Sequence, residues 1–444
     1  MRILVTFSLL ILMPLASPSA DDGVPAGAAG NCMTCHKEKT PGLYRQWYLS
    51  EHAKHNVTCL DCHQAAAGDR DGFVHEGVRI ATLVTPKDCG RCHKTEQQEV
   101  EASYHATAGR ILESADAYLA FAAGGQPAAI AGCESCHGSK IRIDPSSPNK
   151  LNRDTWPNSG IGRLNPDGSN GSCTACHTRH QFSKAQARRP ESCGKCHLGP
   201  DHPQEEIYRE SKHGNVFYTH VNEMNLGADR WVVGWDYSAA PTCATCHMSA
   251  APNQKKTHDV GKRISWTLRP PVSKMKPHWR QRRENMKQVC TACHGRRFVD
   301  GHYRQFDGVV QLYNEKFAKP GGRLMALIKK KGLLKRAARF SNNIEWIYWE
   351  IWHHEGRRAR HGASMMGPDY TWWHGIYDVA KHFYFDLLPA AGELGDPEVD
   401  KFVDELLKDP MHKWLSRSTS DIKKDIRSGK MQELYKDMFK PAGE

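Results

Sequence analysis

The amino-acid sequence predicts a mainly α fold, and three observations lead to this prediction. A five-residue phrase, Cys-x-x-Cys-His, occurs eight times between Cys32 and His294. The chain shows little of the alternation of apolar and polar residues that would indicate β-strands. The part that follows the last motif contains no cysteine and has the apolar periodicity of helices.

The repeated phrase is the attachment motif of c-type haem. Its two thiols add across the haem vinyl groups, and the histidine binds the iron. The eight motifs use all 16 cysteines of the chain. A zinc site would not require a histidine after each cysteine pair, and a disulfide framework would show irregular spacing. The cysteines are Cys32, Cys35, Cys59, Cys62, Cys89, Cys92, Cys133, Cys136, Cys173, Cys176, Cys193, Cys196, Cys243, Cys246, Cys290 and Cys293, and the proximal iron ligands are His36, His63, His93, His137, His177, His197, His247 and His294. The full prediction is a multihaem cytochrome c with eight covalently bound haems as its core and a C-terminal helical region.

The N-terminus has the pattern of a secretory signal peptide. Arg2 supplies the positive charge, an apolar run from Ile3 to Ala16 follows, and small residues lie before Asp21. The run is short for a membrane span, which favours cleavage over anchoring. We therefore expect residues 1–20 to be removed and the mature protein to be periplasmic, without a membrane span.

The chain then divides by composition. Residues 21–300 form the predicted octahaem domain, with short helices after each motif and a loop rich in Pro, Gly, Asn and Ser between His137 and Cys173. Residues 301–444 form a helical region that is expected to complete the active site and to provide an oligomer surface. Its predicted helices are 303–331, 341–361, 373–389, 396–409 and 418–438, with Gly362 as a possible end of the second.

The charge and the hydrophobic content agree with a core made of haem. The net charge of +12 suggests nucleic-acid binding, but each haem brings two propionates that the excess of Lys and Arg is expected to face. A basic patch for an acidic redox partner is compatible with the same charge. The hydrophobic content of 39% is low for 444 residues, as expected if porphyrin supplies much of the buried apolar surface.

The histidine count does not show which irons have a second histidine ligand. Eight of the 25 histidines end the motifs, which leaves 17 others. A relay haem needs a second imidazole, whereas a catalytic haem needs an open face. Seventeen histidines could close every iron, so the count alone does not identify an open one.

Several segments resemble the octahaem hydroxylamine oxidoreductase family, which includes hydroxylamine and hydrazine dehydrogenases. They are CMTCH with the following SEHAKH, CTACHTRHQFS at 173–183, CGKCHLGPDH at 193–202 with ESKHG, APTCATCHM at 240–248 with KTHDVG, and HGASMMGPDYTWWHG at 361–375. The resemblance covers nearly the whole mature chain.

The resemblance implies seven bis-histidine relay haems and one catalytic haem, on the fourth motif. The implied distal ligands are His52, His75, His105, His180, His213, His258 and His361. Asp201 and His202 would lie over the open iron and move protons, although taken alone their segment also fits a simple turn. Tyr370 matches the tyrosine that, in oxidising members, is cross-linked to the catalytic haem of a neighbouring subunit in a homotrimer. The alternative is that Tyr370 packs in an aromatic cluster. Leu268 stands where the family has a third distal residue, a tyrosine, so the pocket is less polar here.

The resemblance implies oxidation of hydroxylamine to nitric oxide or nitrite, or of hydrazine to N₂. Electrons would pass through seven haems to a soluble or quinone-linked cytochrome. One alternative is reduction of nitrite or hydroxylamine to ammonia, and another is an electron-transfer protein with every iron closed. Pentahaem nitrite reductases are excluded because no Cys-x-x-Cys-Lys occurs, and nothing near the motifs supports an enzyme of sulfur oxyanions.

Overall fold

The computed structural model of the protein describes residues 28–113 and 118–440. Helices predominate in these residues, which confirms the predicted mainly α fold. The strands form two small antiparallel pairs, Phe73–His75 with Val78–Ile80 and Trp266–Thr267 with Lys274–Met275. The predicted signal segment, 1–20, lies outside the described residues.

The helices of the motif-bearing part are short. The α-helices are Ala28–Lys39, Pro41–Tyr48, Glu51–Lys54, Cys59–His63, Pro86–Gly90, Lys94–Glu101, Gly125–Ala131, Cys133–His137, Lys184–Arg188, Pro190–Gly194, Gln204–Glu210, Lys212–Thr219, Cys243–His247 and Trp279–Cys290. The 3₁₀ segments are Tyr104–Glu113, Cys173–Ala175 and Val221–Glu223, and Ala120–Gly124 is a π-helical turn. Between His137 and Cys173 only isolated β-bridges occur, as the loop prediction requires.

The C-terminal helices are longer and are joined end to end through π-helical turns. The α-helices are Arg296–Tyr313, Lys319–Lys330, Asn343–Trp349, Gly356–Ser364, Pro368–Thr371, Asp378–His382, Leu388–Gly392, Pro397–Lys408, Thr419–Arg427 and Lys430–Tyr435. The π-helical turns are Asn314–Ala318, Glu350–Glu355, Trp372–Tyr377 and Phe383–Leu387, and the 3₁₀ turns are Lys413–Ser416 and Lys436–Phe439.

Three predicted helix boundaries are wrong. The first long helix begins at Arg296 and runs across residue 300. Gly362 lies inside Gly356–Ser364, where a Cβ would approach the backbone nitrogen of Thr371 to 2.5 Å, so this glycine permits close packing and does not end the helix. The last predicted helix is interrupted at Gly429, whose φ of +78° lies in the left-handed region that favours glycine.

Buried apolar side chains are concentrated in the C-terminal region. Its largest cluster includes Tyr313, Phe317, Leu324, Ile351 and Phe383, all at most 2% exposed. In the first half of the chain, by contrast, Leu83, Ile141 and Leu151 form a small buried cluster. A second buried cluster, which includes Tyr208, Phe217 and Trp231, lies between the sixth and eighth motifs, so side chains also supply part of the core of the motif-bearing part. No helix in 28–113 or 118–440 is long and apolar enough to span a membrane.

Candidate haem-binding sites

Helices follow some motifs closely, as the sequence predicted: Lys94–Glu101 begins directly after His93, and Arg296–Tyr313 begins two residues after His294. Other motifs are themselves helical turns and are not followed directly by a helix. Cys59–His63, Cys133–His137 and Cys243–His247 are each a single α-helical turn. Residues three apart on a helix share a face, so the turn directs both thiols towards one porphyrin edge. Thr58 and Thr242 cap two of these turns, and the Thr58 amide donates to Asp61 Oδ2 at 2.7 Å.

Seven of the eight motifs line one connected cavity. Its volume is about 3410 Å³, whereas a pocket for a single small ligand has roughly 300–1,000 Å³. All seven histidines that the resemblance implies as distal ligands line the same cavity. Its size and its thiol and imidazole donors fit several haems.

Five predicted ligand pairs face each other at the distance that a shared iron requires. Two imidazoles on opposite sides of one metal ion, each about 2 Å from it, place their ring centres about 6 Å apart. The observed separations are 6.2 Å for His36–His75, 6.2 Å for His93–His52, 6.4 Å for His63–His180, 6.0 Å for His197–His105 and 6.0 Å for His294–His213.

The other proximal histidines of this cavity are His177 and His247. Burial, followed by the charge of His258, lowers the pKa of His177 to about 4. Burial lowers the pKa of His247 as well. His258 and His361 each have a buried Nδ1 atom without a hydrogen-bond partner among the described residues. Neutral buried imidazoles of this kind can serve as metal ligands.

Hydrogen bonds orient several proximal rings. His63 Nδ1 donates to the carbonyl of Ala81 at 2.8 Å, and His247 Nδ1 donates to that of Val260 at 3.2 Å. His36 Nδ1 lies 2.7 Å from Thr40 Oγ1. A donor at Nδ1 leaves Nε2 as the lone-pair nitrogen, so these contacts select the tautomer that binds iron.

The fourth motif lies apart from this cavity. Cys133, Cys136 and His137 are described but do not contribute to its lining. The Cys136 thiol lies 3.9 Å from the carbonyl of Lys195, which places the fourth motif against the sixth. Asp201 and His202 lie on the loop after the sixth motif, and the His202 ring lies 6.0 Å from that of His197. The pair is therefore close to the sixth motif, which the fourth motif contacts.

Both nitrogens of His202 are engaged. Nδ1 contacts Asp201 Oδ1, and Nε2 lies 2.9 Å from the carbonyl of Cys196. Arg357 Nη1 donates to the other Asp201 oxygen at 2.9 Å. Burial alone would raise the pKa of Asp201, but the His202 hydrogen bond and the charges of His202, His353 and Arg357 hold it well below its usual value. Asp201 is therefore a carboxylate held between two donors, and His202 is held in one orientation.

The sequence did not predict Arg357. It lies on the helix Gly356–Ser364, and its Nε also donates to the carbonyl of Arg269 at 2.9 Å. Asp201 and Arg357 are 156 positions apart, and no local motif signals their contact. Leu268, where the family has a tyrosine, is 9% exposed and lines the large cavity.

Tyr370 lies at the surface end of the C-terminal region. Its ring stacks on His374 with centroids 5.2 Å apart, and its amide donates to Glu210 at 3.3 Å. Burial, followed by Glu206 and Glu210, raises its pKa. Trp372 and Trp373 nearby are 51% and 57% exposed. The neighbours of Tyr370 on its own chain are thus polar, and the tryptophans beside it face outward.

The fold and the repeated motifs define a mainly α multihaem c-type cytochrome. Residues 166–336 match a family model described as seven times multi-haem cytochrome CxxCH. A solved structure titled "Hypothetical multiheme protein" superposes with a TM-score of 0.75 at 25% identity, and the match covers 85% of this chain and 97% of that one.

The predicted resemblance to hydroxylamine oxidoreductase-like multihaem proteins is confirmed. A probable nitrite reductase-hydroxylamine oxidoreductase fusion protein of Kuenenia stuttgartiensis is 24% identical over 460 aligned positions, which cover 78% of this chain. The chain spans about half the length of that relative, 49%. The reducing HAO-like protein complex of the same organism shares the fold, with a TM-score of 0.61 at 19% identity over 85% of this chain and 86% of that one.

Proposed function

We propose that the chain is a periplasmic octahaem oxidoreductase that oxidises hydroxylamine, or hydrazine, at the haem of the fourth motif. The observation that carries this proposal is that seven motifs line the large cavity and the fourth does not. Five of the seven motifs around the large cavity have a second imidazole about 6 Å from the proximal ring. The fourth motif lies outside that cavity and contacts the sixth motif, whose following loop carries an Asp–His pair that can move protons.

The haem of the fourth motif would supply the electron chemistry, and the residues around it would supply position and proton transfer. Asp201 fixes the orientation of His202, and Arg357 keeps Asp201 ionised. We assign proton transfer with the substrate to this pair. The fixed dipoles and charges of this pocket favour the protonation changes that a small nitrogen substrate requires.

The C-terminal region would complete the site in a homotrimer. Tyr370 of a neighbouring subunit would reach the haem of the fourth motif and, if bonded to it, would favour oxidation. Trp372, Trp373 and Tyr377 beside Tyr370 are about half exposed, as expected for residues that a neighbouring subunit covers.

Reduction of nitrite or hydroxylamine is the second candidate, and two observations favour it. Leu268 cannot donate a hydrogen bond where the oxidising members have a tyrosine. The relatives include a probable nitrite reductase-hydroxylamine oxidoreductase fusion and a reducing HAO-like complex.

Two measurements on the haem-loaded protein test the proposal. Hydroxylamine should reduce an added redox dye, and cyanide should perturb one haem of eight. Mass spectrometry under denaturing conditions should find subunits joined through Tyr370 if the enzyme oxidises. If the subunits separate on denaturation and nitrite reoxidises the reduced haems, the protein is instead a reductase. A protein in which no haem responds to cyanide would be an electron-transfer protein.

A further inference from the structure

One helical turn behind Asp201 carries several buried ionisable side chains. Arg357 contacts Asp201 directly, and the charge of Asp201 also acts on His354. Burial lowers the pKa of His354 to about 4, so the ring is neutral and can accept a proton. His353 is 5% exposed and stacks on Trp349 with centroids 3.9 Å apart. This turn therefore separates the Asp201–His202 pair from the helices behind it.

Glu355, on the same turn, is the most unusual of these groups. Its side chain is 3% exposed. One oxygen accepts a hydrogen bond from His382 Nδ1, and the other, Oε2, is buried with no partner in the described part of the chain. Burial raises the pKa of Glu355. A buried carboxyl oxygen without a partner is unfavourable unless it carries a proton or contacts an internal water.

His382 connects Glu355 to solvent. Its side chain is 28% exposed, and Nε2 lies 3.9 Å from Asp386 Oδ2, on a carboxylate that is 46% exposed. The hydrogen bond to Glu355 raises the pKa of His382, and Asp386 acts in the same direction. Glu355 and His382 thus form a chain of proton donors and acceptors that runs from the interior to the surface.

The remaining groups around Glu355 are also polar. Arg358, whose Nη2 lies 3.5 Å from Asp378 Oδ2, lowers the pKa of Glu355, and Asp378 raises it. Tyr313 packs against Gly356, and its hydroxyl is also buried without a hydrogen-bond partner. Burial raises the pKa of Tyr313, and the charge of Glu355 acts in the same direction. Lys381 opposes the protonation of His382 from the solvent side.

We propose that Glu355 and His382 form the proton route between solvent at Asp386 and the pocket of Asp201 and His202. This inference rests on the proposed function. Oxidation of hydroxylamine to nitrite consumes one water and releases four electrons and five protons. The electrons pass to the other haems and then to an acceptor cytochrome or dye, so the protons need a path of their own. In the reductive direction, from nitrite to ammonium, eight protons must enter with six electrons. Glu355 acts through other groups and is a positioning and relay residue.

The matched variants are Glu355→Gln, which removes the titrating oxygen, and Glu350→Gln, on an exposed residue of the same π-helical turn. Glu355→Gln should lower turnover roughly a hundredfold, the scale of a lost proton-transfer group, and should increase the solvent isotope effect. Glu355→Asp should recover part of the turnover. Haem content and the cyanide response should match the wild type in all three variants. Equal turnover and isotope effect in Glu355→Gln and Glu350→Gln would overturn the route.

Infrared difference spectra between the reduced and oxidised protein test the route without substrate. A band of a protonated buried carboxyl should change on reduction, vanish in Glu355→Gln and persist in Glu350→Gln. Absence of the band from the wild type would overturn the route even in an active enzyme. A wild type that shows the band but turns over neither hydroxylamine nor nitrite would refute the proposed function and leave the route supported.

Discussion

Replacing His180 by alanine should leave one additional iron without its second histidine ligand, so that it can bind an external ligand. The His180 ring lies 6.4 Å from that of His63, which matches two imidazoles on one iron. The His63 ring is held by its hydrogen bond to Ala81, so the proximal side should stay in place after the change. An iron with one ligand removed accepts an external ligand.

The number of external ligands that the variant should bind follows from the number of histidine pairs that lose a member. His63 and His180 belong to one predicted haem of eight, so exactly one additional equivalent of cyanide or carbon monoxide should bind per chain. The low-spin signal in electron paramagnetic resonance should fall by one haem in seven. Mass spectrometry of the same sample should still find eight haems, because the motif Cys59–His63 is unchanged.

His55→Ala provides the matched control. His55 lines the same cavity and is exposed, but it is not a predicted ligand. This variant should bind no additional cyanide. If His180→Ala also bound none, or if His55→Ala opened an iron, the argument from ring separations would fail for this haem.

Three further predictions concern the pocket, the direction of reaction and stability. His202→Ala should cut turnover by a factor of about 10²–10⁴ and leave the low-spin spectra intact; loss of a low-spin signal would make His202 an axial ligand. Tyr370→Phe should leave eight haems attached and shift activity towards reduction, and unchanged hydroxylamine oxidation would remove Tyr370 from the mechanism. Asp307→Asn should lower stability by about 3–5 kcal/mol because it leaves Arg283 buried without its charged partner. Arg283 donates to both Asp307 oxygens, at 2.5 and 2.7 Å, and the side chains are 9% and 5% exposed. Thermal unfolding would show no such loss for Asp300→Asn, because that carboxylate is about half exposed and its surface ion pairs contribute at most about 1 kcal/mol.

The motifs could be predicted from sequence because their chemistry is local. A helical turn that presents Cys133 and Cys136 to one porphyrin is encoded in five consecutive residues. The C-terminal helices were also predictable in approximate place, although the five predicted helices correspond to ten α-helices among the described residues, joined partly by π-helical turns. Their ends were not, because packing overrides local preference, as at Gly362 against Thr371. The four C-terminal π-helical turns have no comparable local signal in the sequence.

Unlike the motifs, the pairing of histidines depends on residues that lie far apart in the sequence. His63 and His180 are separated by more than a hundred positions, and only the fold brings their rings together. The resemblance supplied candidates for the distal ligands, whereas composition alone left all seventeen remaining histidines equal. The partner of Asp201 could not be found in this way, because neither the resemblance nor the pattern pointed to Arg357.

The helix Gly356–Ser364 contributes one residue to the Asp201–His202 pocket and another to the cavity of the seven motifs. Arg357 and His361 are four residues apart, so they lie on the same face of this helix. Arg357 donates a hydrogen bond to Asp201 of the Asp201–His202 pair, and His361 lines the cavity of the seven motifs. Glu355 precedes the same helix by one residue. A rotation or shift of this helix would therefore alter the pocket, one predicted iron ligand and the proposed proton route together. This coupling gives a physical reason for a cysteine-free helical region in a protein whose haem-attachment motifs all lie before residue 295.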